Sequence, residues 1–129
     1  MKLADTNVVM SLIVGDRPEQ TALAEAALDP MGVPVLITEG VLVESASVLC
    51  WSYRFKRTAA AEALLGVLGT PGVLAWNRPH AERALRLMRA DGALGLVDCL
   101  LVERALDEGD ELLTFDAHAR KRASEYVKL

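Results

Sequence analysis

The stretch Met1-Lys2-Leu3-Ala4-Asp5-Thr6-Asn7 opens the chain and decides how the rest of it is interpreted. Its first part is short and mainly apolar, which predicts a β-strand over residues 2–4. Asp5 follows directly, and a carboxylate at the end of a buried strand is costly unless a ligand or partner binds it. Because ligands of α/β folds lie at the carboxyl ends of strands, Asp5 is the first candidate site residue.

Strand and helix patterns alternate along the remainder of the chain. Strands are predicted over residues 2–4, 34–37, 73–76 and 111–114, with a last edge strand over 126–128. Helices are predicted over residues 7–14, 18–28, 39–55, 58–68, 77–90, 97–106 and 116–123. Thr38 and Thr58 are the expected N-caps of two helices, and Gly109 is an expected helix end. The alternation predicts an α/β fold, with a mainly parallel central sheet of about four to five strands and helices on both faces.

Length and composition indicate one domain covering residues 1–129, because 52% of the 129 residues are hydrophobic and suffice for a core. Cys50 and Cys99 lie in apolar helical runs, so we interpret them as small buried side chains of a reducing compartment. No apolar run approaches the roughly 20 residues of a membrane span. Asp5 interrupts the apolar opening too early for a signal peptide, so the expected location is the cytoplasm.

Glu44 lies within an apolar stripe of the helix that follows Thr38. Val41, Val48 and Trp51 are spaced around it at intervals of three and four residues, which places them near one face of a helix. The pattern therefore predicts that Glu44 points inward. A single inward acid is as readily explained by an ion pair with an arginine as by a site.

Asp98 is the second acid predicted to point inward from a helix. It precedes Leu101 and Val102 by three and four residues, on the apolar side of the helix over residues 97–106. It also lies near the start of that helix, so helix capping is an alternative interpretation.

Asp116 resembles Asp5 in position, because it follows the predicted strand over residues 111–114 within two residues. Together with Glu44 and Asp98 these acids offer only oxygen ligands, which suit Mg²⁺ or Mn²⁺ better than zinc. One tightly held ion or two ions are both compatible with four carboxylates. Such ions activate water and stabilise charge on a phosphoryl group, which indicates hydrolysis of a phosphate ester without a covalent intermediate.

Three polar side chains near these acids are candidates for orienting the carboxylates by hydrogen bonds, namely Thr6, Asn7 and Thr114. Capping and turn formation are the alternative roles of the same residues.

Four segments of the chain resemble the PIN-domain nucleases. They are Leu3-Ala4-Asp5-Thr6-Asn7, Leu42-Val43-Glu44-Ser45-Ala46-Ser47-Val48-Leu49, Val97-Asp98-Cys99-Leu100-Leu101-Val102 and Leu113-Thr114-Phe115-Asp116. Their order and spacing cover essentially the whole chain and are most similar to the VapC-type toxins of bacterial toxin–antitoxin pairs. In place of the further acid or aromatic residue that often follows the last acid in relatives, this chain has Ala117-His118-Ala119.

The resemblance implies a PIN-like three-layer fold and a Mg²⁺-dependent endoribonuclease. It implies that Asp5, Glu44, Asp98 and Asp116 are both the metal ligands and the catalytic residues, with Mn²⁺ as a substitute ion. It also implies a cognate antitoxin protein as inhibitor and a homodimer. Apolar residues near Leu12, Ile13, Leu64 and Leu68 are candidates for contact with a partner helix, although core packing explains them equally well.

Basic residues form three groups in a chain of net charge −4. Arg120, Lys121 and Arg122 follow Asp116 on the same predicted helix and are the candidate contacts to the RNA backbone. The stripe of Arg83, Arg86 and Arg89 is interpreted as a solvent-facing helix surface, and the third group comprises Arg54, Lys56 and Arg57.

Two other functions are compatible with the acids. A phosphohydrolase or phosphotransferase would use Asp5 as a nucleophile, but such enzymes of the haloacid-dehalogenase type carry a second aspartate where this chain has Asn7. A non-catalytic module would use the acids as a structural ion site or to bind an antitoxin. A phosphorylated Asp5 would distinguish the phosphohydrolase from a nuclease. Binding of RNA or antitoxin without turnover would distinguish the non-catalytic module.

Overall fold

The computed structural model describes residues 1–123 of the chain. Within them the strands are β1 (Lys2–Leu3), β2 (Val35–Ile37) and β3 (Val73–Ala75). The helices are α1 (Thr6–Ile13), α2 (Pro18–Ala27), α3 (Glu39–Trp51), α4 (Arg57–Leu68), α5 (Arg78–Ala90), α6 (Leu96–Glu108) and α7 (Ala117–Arg122). The predicted alternation of strands and helices is therefore confirmed.

The sheet is parallel and has the order β1-β2-β3. Leu3 pairs in register with Leu36, and Leu36 with Leu74, so the three leucines form a row across the sheet. Leu3 and Leu74 are exposed, while the neighbouring Val35 and Val73 are buried. The sheet thus packs its alternate residues into the core on one face.

The prediction of four to five strands is wrong for the described part of the chain, which contains three. Residues 111–114 place Leu112 in the core but form no strand. The apolar alternation that predicted a strand therefore reflects the packing of Leu112 alone. The segment does not pair with β1, which is only two residues long. The strand predicted over residues 126–128 lies outside the described residues.

Local signals set most helix ends. The Thr38 hydroxyl accepts a hydrogen bond from the Val41 N–H at 3.4 Å, which confirms the predicted cap of α3. Gly109 closes α6 in the left-handed conformation, with φ of 70°, which glycine adopts without strain. Thr58 is not a cap, because α4 already begins at Arg57. The chain leaves the helical path of α3 four residues earlier than predicted, and Arg54 has a positive φ of 61° there.

The core lies between the inner face of the sheet and the helices and is aliphatic, as the composition indicates. Helix α4 packs against α5, α3 and α1, and α5 packs against α6. Leu49, Leu64, Leu85 and Val102 are fully buried at these contacts. Cys99 is a buried free thiol, so its interpretation as a small core residue is confirmed. Cys50 is also a free thiol but is only half-buried, and it packs against the core.

None of the helices in residues 1–123 is both long enough and apolar enough to cross a membrane.

Candidate active site

The four candidate acids lie on helices that are packed neighbours. Asp5 is the N-cap of α1, Glu44 lies within α3, Asp98 lies in the first turn of α6 and Asp116 is the N-cap of α7. Helix α1 contacts α3, α3 contacts α6, and α6 contacts α7. The fold therefore links the four segments, although the first and the last are separated by most of the chain in sequence.

Asp5 stands between β1 and α1, as the sequence predicts, but both residues of β1 are exposed, so the expectation of a buried strand is wrong. Its carboxylate accepts a hydrogen bond from the Val8 N–H at 3.0 Å, which satisfies one of the free donors at the start of the helix. The side chain is exposed and lines a cavity of about 530 Å³. Asp5 thus has a structural role as a cap and remains open to a ligand.

The prediction that Glu44 points inward is wrong. Glu44 is exposed, and Trp51, which defined the same stripe, is 78% exposed. The buried face of α3 lies about a quarter turn further around the helix and consists of Leu42, Ser45, Ala46 and Leu49. Within residues 1–123 Glu44 has no hydrogen bond or ion pair, so its carboxylate is available for binding.

Asp98 lies at the boundary between the core and the solvent. It is half-buried next to the fully buried Cys99 and has no hydrogen bond or ion pair with any residue of the described chain. The N-cap of α6 is Gly95, so Asp98 does not cap the helix. The first turn of a helix favours a negative charge, and within residues 1–123 the carboxylate oxygens of Asp98 are unpaired, so they are available to a cation.

Cys99 is not a candidate ligand despite its position beside Asp98. Burial, and then the negative charge of Asp98, raise the pKa of the Cys99 thiol to about 12. The Cys99 side chain is fully buried in the core, so its sulfur is not presented to an ion at the surface.

Asp116 caps α7 with one carboxylate oxygen. Its Oδ1 accepts hydrogen bonds from the N–H groups of His118 at 2.8 Å and Ala119 at 3.0 Å. The Ala119 hydrogen bond is the largest cause, followed by that from His118, of a pKa below the ordinary value for the Asp116 carboxyl. The cap thus favours the charged form, which is the form that binds a metal ion.

The three polar side chains proposed to orient the acids are placed differently from one another. The Thr114 hydroxyl accepts a hydrogen bond from the Asp116 backbone N–H at 3.0 Å, and thus fixes the start of α7. Thr6 is half-buried in the first turn of α1, and Asn7 is exposed beside the same cavity as Asp5. Neither of these two makes a side-chain hydrogen bond within residues 1–123.

The four carboxylates are not gathered into one metal-binding group in the described part of the chain. Within residues 1–123 no three side chains of histidine, cysteine, aspartate or glutamate lie together as a group that would hold one metal ion. Two of the acids are helix caps, and the other two have no partner in the described part of the chain. The donor type, carboxylate oxygen alone, fits Mg²⁺ or Mn²⁺, whereas the side-chain positions do not form a closed set of ligands.

The basic residues of α7 divide into two kinds. Arg120 and Lys121 are exposed and make no ion pair within the described chain. Arg122 instead donates hydrogen bonds to Asp91 Oδ2 from Nε at 3.1 Å and from Nη2 at 2.9 Å. Arg122 therefore links α7 to the end of α5, and only the other two cations are available for phosphate groups.

The arginine stripe of α5 is committed to ion pairs. Arg83 contacts Glu103 and Asp107, Arg86 contacts Glu82, and Arg89 contacts Glu62 at 3.0 Å. The pairs of Arg83 and Arg89 bridge α5 to α6 and to α4, whereas the pair of Arg86 lies within α5. All three arginines lie at the protein surface, which agrees with the interpretation of the stripe as a solvent-facing helix surface.

Comparison with known families matches the PIN domain over residues 2–125. The chain belongs to the PIN-domain family. PIN domains are typically metal-dependent nucleases with an α/β fold built on a parallel sheet, and the three parallel strands described here agree with that fold. Searches of curated proteins and of solved structures found no match.

The cavity beside Asp5 contains residues to which no sequence pattern pointed. Asp16 and Arg17 come from the connection between α1 and α2, Gln20 from the first turns of α2, and Tyr53 from the segment after α3. Their proximity is a product of the packing of α1 against α2 and α3. No spacing in the sequence relates Tyr53 to Asp16, so only the structure places them in the same PIN-domain cavity.

Proposed function

We propose that this PIN domain is a metal-dependent endoribonuclease that hydrolyses RNA phosphodiester bonds in the cytoplasm. The observation that carries the proposal is the half-buried carboxylate of Asp98, which has no partner within residues 1–123 in a chain of a nuclease family. Asp5, Glu44 and Asp116 complete the proposed acidic site. Helices α3 and α7 pack against α6, which carries Asp98, and α1 packs against α3.

The proposed roles of the side chains follow from their placement. Asp98 and Glu44 offer carboxylates that have no partner among residues 1–123, while Asp5 and Asp116 offer carboxylates whose direction is fixed by capping. Mg²⁺, with Mn²⁺ as a substitute, would supply an activated water and charge stabilisation at the phosphoryl group. Arg120 and Lys121, which are free of ion pairs in the described chain, would hold backbone phosphates of the RNA.

Metal-dependent RNA cleavage by the purified full chain tests this function. We expect a mixed-sequence RNA to be cut internally in the presence of Mg²⁺ or Mn²⁺ and to stay intact after addition of EDTA, with activity restored by excess Mg²⁺. Mapping the new RNA ends distinguishes internal cuts from trimming. Binding of RNA without cleavage in any of these ions would favour a non-catalytic module instead.

We further propose that the nuclease is the toxin of a toxin–antitoxin pair. A second cavity of about 400 Å³ lies between α1, α2 and α4, and Leu12, Ile13, Leu28 and Val67 form much of its apolar lining. Leu64 and Leu68, which were also considered for partner contact, are fully buried and belong to the core. An amphipathic antitoxin helix would place its apolar side chains in this cavity.

The partner proposal is tested with the protein encoded next to this gene. We expect that protein to bind the nuclease and block cleavage, and Ile13→Glu to weaken binding about ten-fold or more, because a charge is buried at the contact. Leu106→Glu, at a 41% exposed position of α6, is the matched control. Equal affinity of the two variants would exclude the α1–α2–α4 cavity as the contact.

We also propose a homodimer, whose surface includes the exposed row of Leu3 and Leu74 beside Trp76. Light scattering of the purified chain tests it, and a mass equal to the 13.9 kDa of one chain would contradict it.

A further inference from the structure

The cavity beside Asp5 combines polar and aromatic groups in a way that capping and core packing do not require. It has a volume of about 530 Å³ and lies between α1, α2 and the segment after α3. Asn7, Asp16, Arg17, Gln20 and Tyr53 bring hydrogen-bonding groups to it, and Met10 and Ala24 give it an apolar wall. The volume is within the range of about 300–1,000 Å³ that is typical of small-molecule sites.

We propose that this cavity binds one unstacked nucleobase of the RNA, next to the phosphodiester that is cleaved at Asp5. The inference rests on the proposed function and adds a site of base recognition to it. Sequence-specific proteins recognise RNA mainly through such splayed-out bases, which stack on aromatic side chains and form hydrogen bonds along their edges. Because Asp5 lines the same cavity, a base bound there lies next to Asp5, and its own phosphate can reach that carboxylate.

The side chains of the cavity match both surfaces of a base. The Tyr53 ring is partly exposed and offers a stacking face, and its hydroxyl donates to Asp16 Oδ2 at 3.5 Å, which links the ring to the α1–α2 connection. The Gln20 amide offers both a donor and an acceptor to a base edge. Arg17 makes no ion pair within residues 1–123, so its positive charge is available to the nucleotide phosphate.

Asp16 gives the cavity a preference among the bases. An ionised carboxylate only accepts hydrogen bonds, so it favours a base that presents donors. Guanine presents two adjacent donors, its N1–H and its N2 amino group, on the edge that pairs in a duplex. The structure therefore favours guanine as the base bound beside the cleaved bond.

Calorimetric titration of the full chain with the four nucleoside 5′-monophosphates tests this inference without relying on cleavage. We expect the guanosine compound to bind most tightly. Tyr53→Ala is expected to weaken binding of all four about ten-fold through loss of stacking, and Gln20→Leu to reduce the preference among them. Trp51→Ala is the matched control, since this aromatic residue lies two positions earlier, is 78% exposed and lies outside the cavity.

Circular dichroism melting of each variant shows whether it is folded. Equal binding of all four nucleotides, or unchanged binding by folded Tyr53→Ala, would overturn the inference. A preference for another base would overturn the assignment to Asp16. Loss of antitoxin affinity in Tyr53→Ala, with nucleotide binding unchanged, would show that the cavity docks protein. Nucleotide binding with the expected pattern in a chain that cuts no RNA would support the inference while contradicting the proposed function.

Discussion

Replacing Asp98 by asparagine is expected to reduce RNA cleavage about a thousand-fold while the fold stays intact. A bound metal ion contributes several kcal/mol of charge stabilisation to a phosphoryl-transfer transition state, and each 1.36 kcal/mol changes the rate ten-fold. Asparagine keeps the volume of aspartate but removes the charge that attracts the ion. Since Asp98 makes no hydrogen bond or ion pair within residues 1–123, its replacement breaks no contact of the described chain.

The measurement is the single-turnover cleavage rate of a labelled RNA at saturating Mg²⁺, together with the melting temperature of each protein. Glu108→Gln is the matched control, because it removes one negative charge from the exposed end of the same helix. We expect the control to cleave at the wild-type rate. A cleavage rate of Asp98→Asn within a few-fold of wild type would remove Asp98 from the site.

Asparagine is also the informative replacement at the two acids that cap helices. Asparagine caps a helix about as well as aspartate, whereas alanine costs about 1 kcal/mol. Asp5→Asn therefore retains the hydrogen bond from the Val8 N–H while it removes the charge. Comparison of asparagine and alanine variants separates the structural role of Asp5 from its proposed role in catalysis.

The order of elements was predictable because each depends on short-range signals. The cap at Thr38, the stop at Gly109 and the alternation of strands with helices each arise from a few neighbouring residues. The fourth strand was not predictable in this way. Strand formation requires a partner edge, and the packing of Leu112 alone gives residues 111–114 the same apolar alternation.

The direction of the acidic side chains depended on longer-range packing. The large apolar Trp51 suggested a buried stripe on α3 that included Glu44, yet the residues that α3 buries include Ser45 and Ala46. Small residues allow neighbouring helices to pack closely, so α3 buries these residues. Hydrophobicity alone would instead favour the burial of Trp51. For Asp98 the same reasoning was half right, since Val102 is fully buried whereas Leu101 is 47% exposed.

The separation of core from contact surface is the part of the sequence interpretation that the structure changed most. Leu12, Ile13, Leu64 and Leu68 were equivalent candidates for a partner helix on their sequence pattern. In the structure the first two are half-buried beside a cavity, whereas the last two have no exposed surface. The two pairs should therefore respond to mutation in different ways, one in partner affinity and the other in stability.

Leu64→Ala is expected to lower the free energy of unfolding by about 2–5 kcal/mol, because it leaves a cavity in a fully buried site of α4. That loss is a large fraction of the roughly 5–15 kcal/mol that stabilises a typical domain. Urea unfolding followed by circular dichroism measures it. Leu23→Ala makes the same change at a 74% exposed position of α2 and should alter the free energy of unfolding by no more than about 0.5 kcal/mol. Equal stability of the two variants would mean that Leu64 is accessible after all, and that α4 offers its leucines to a partner and not to the core.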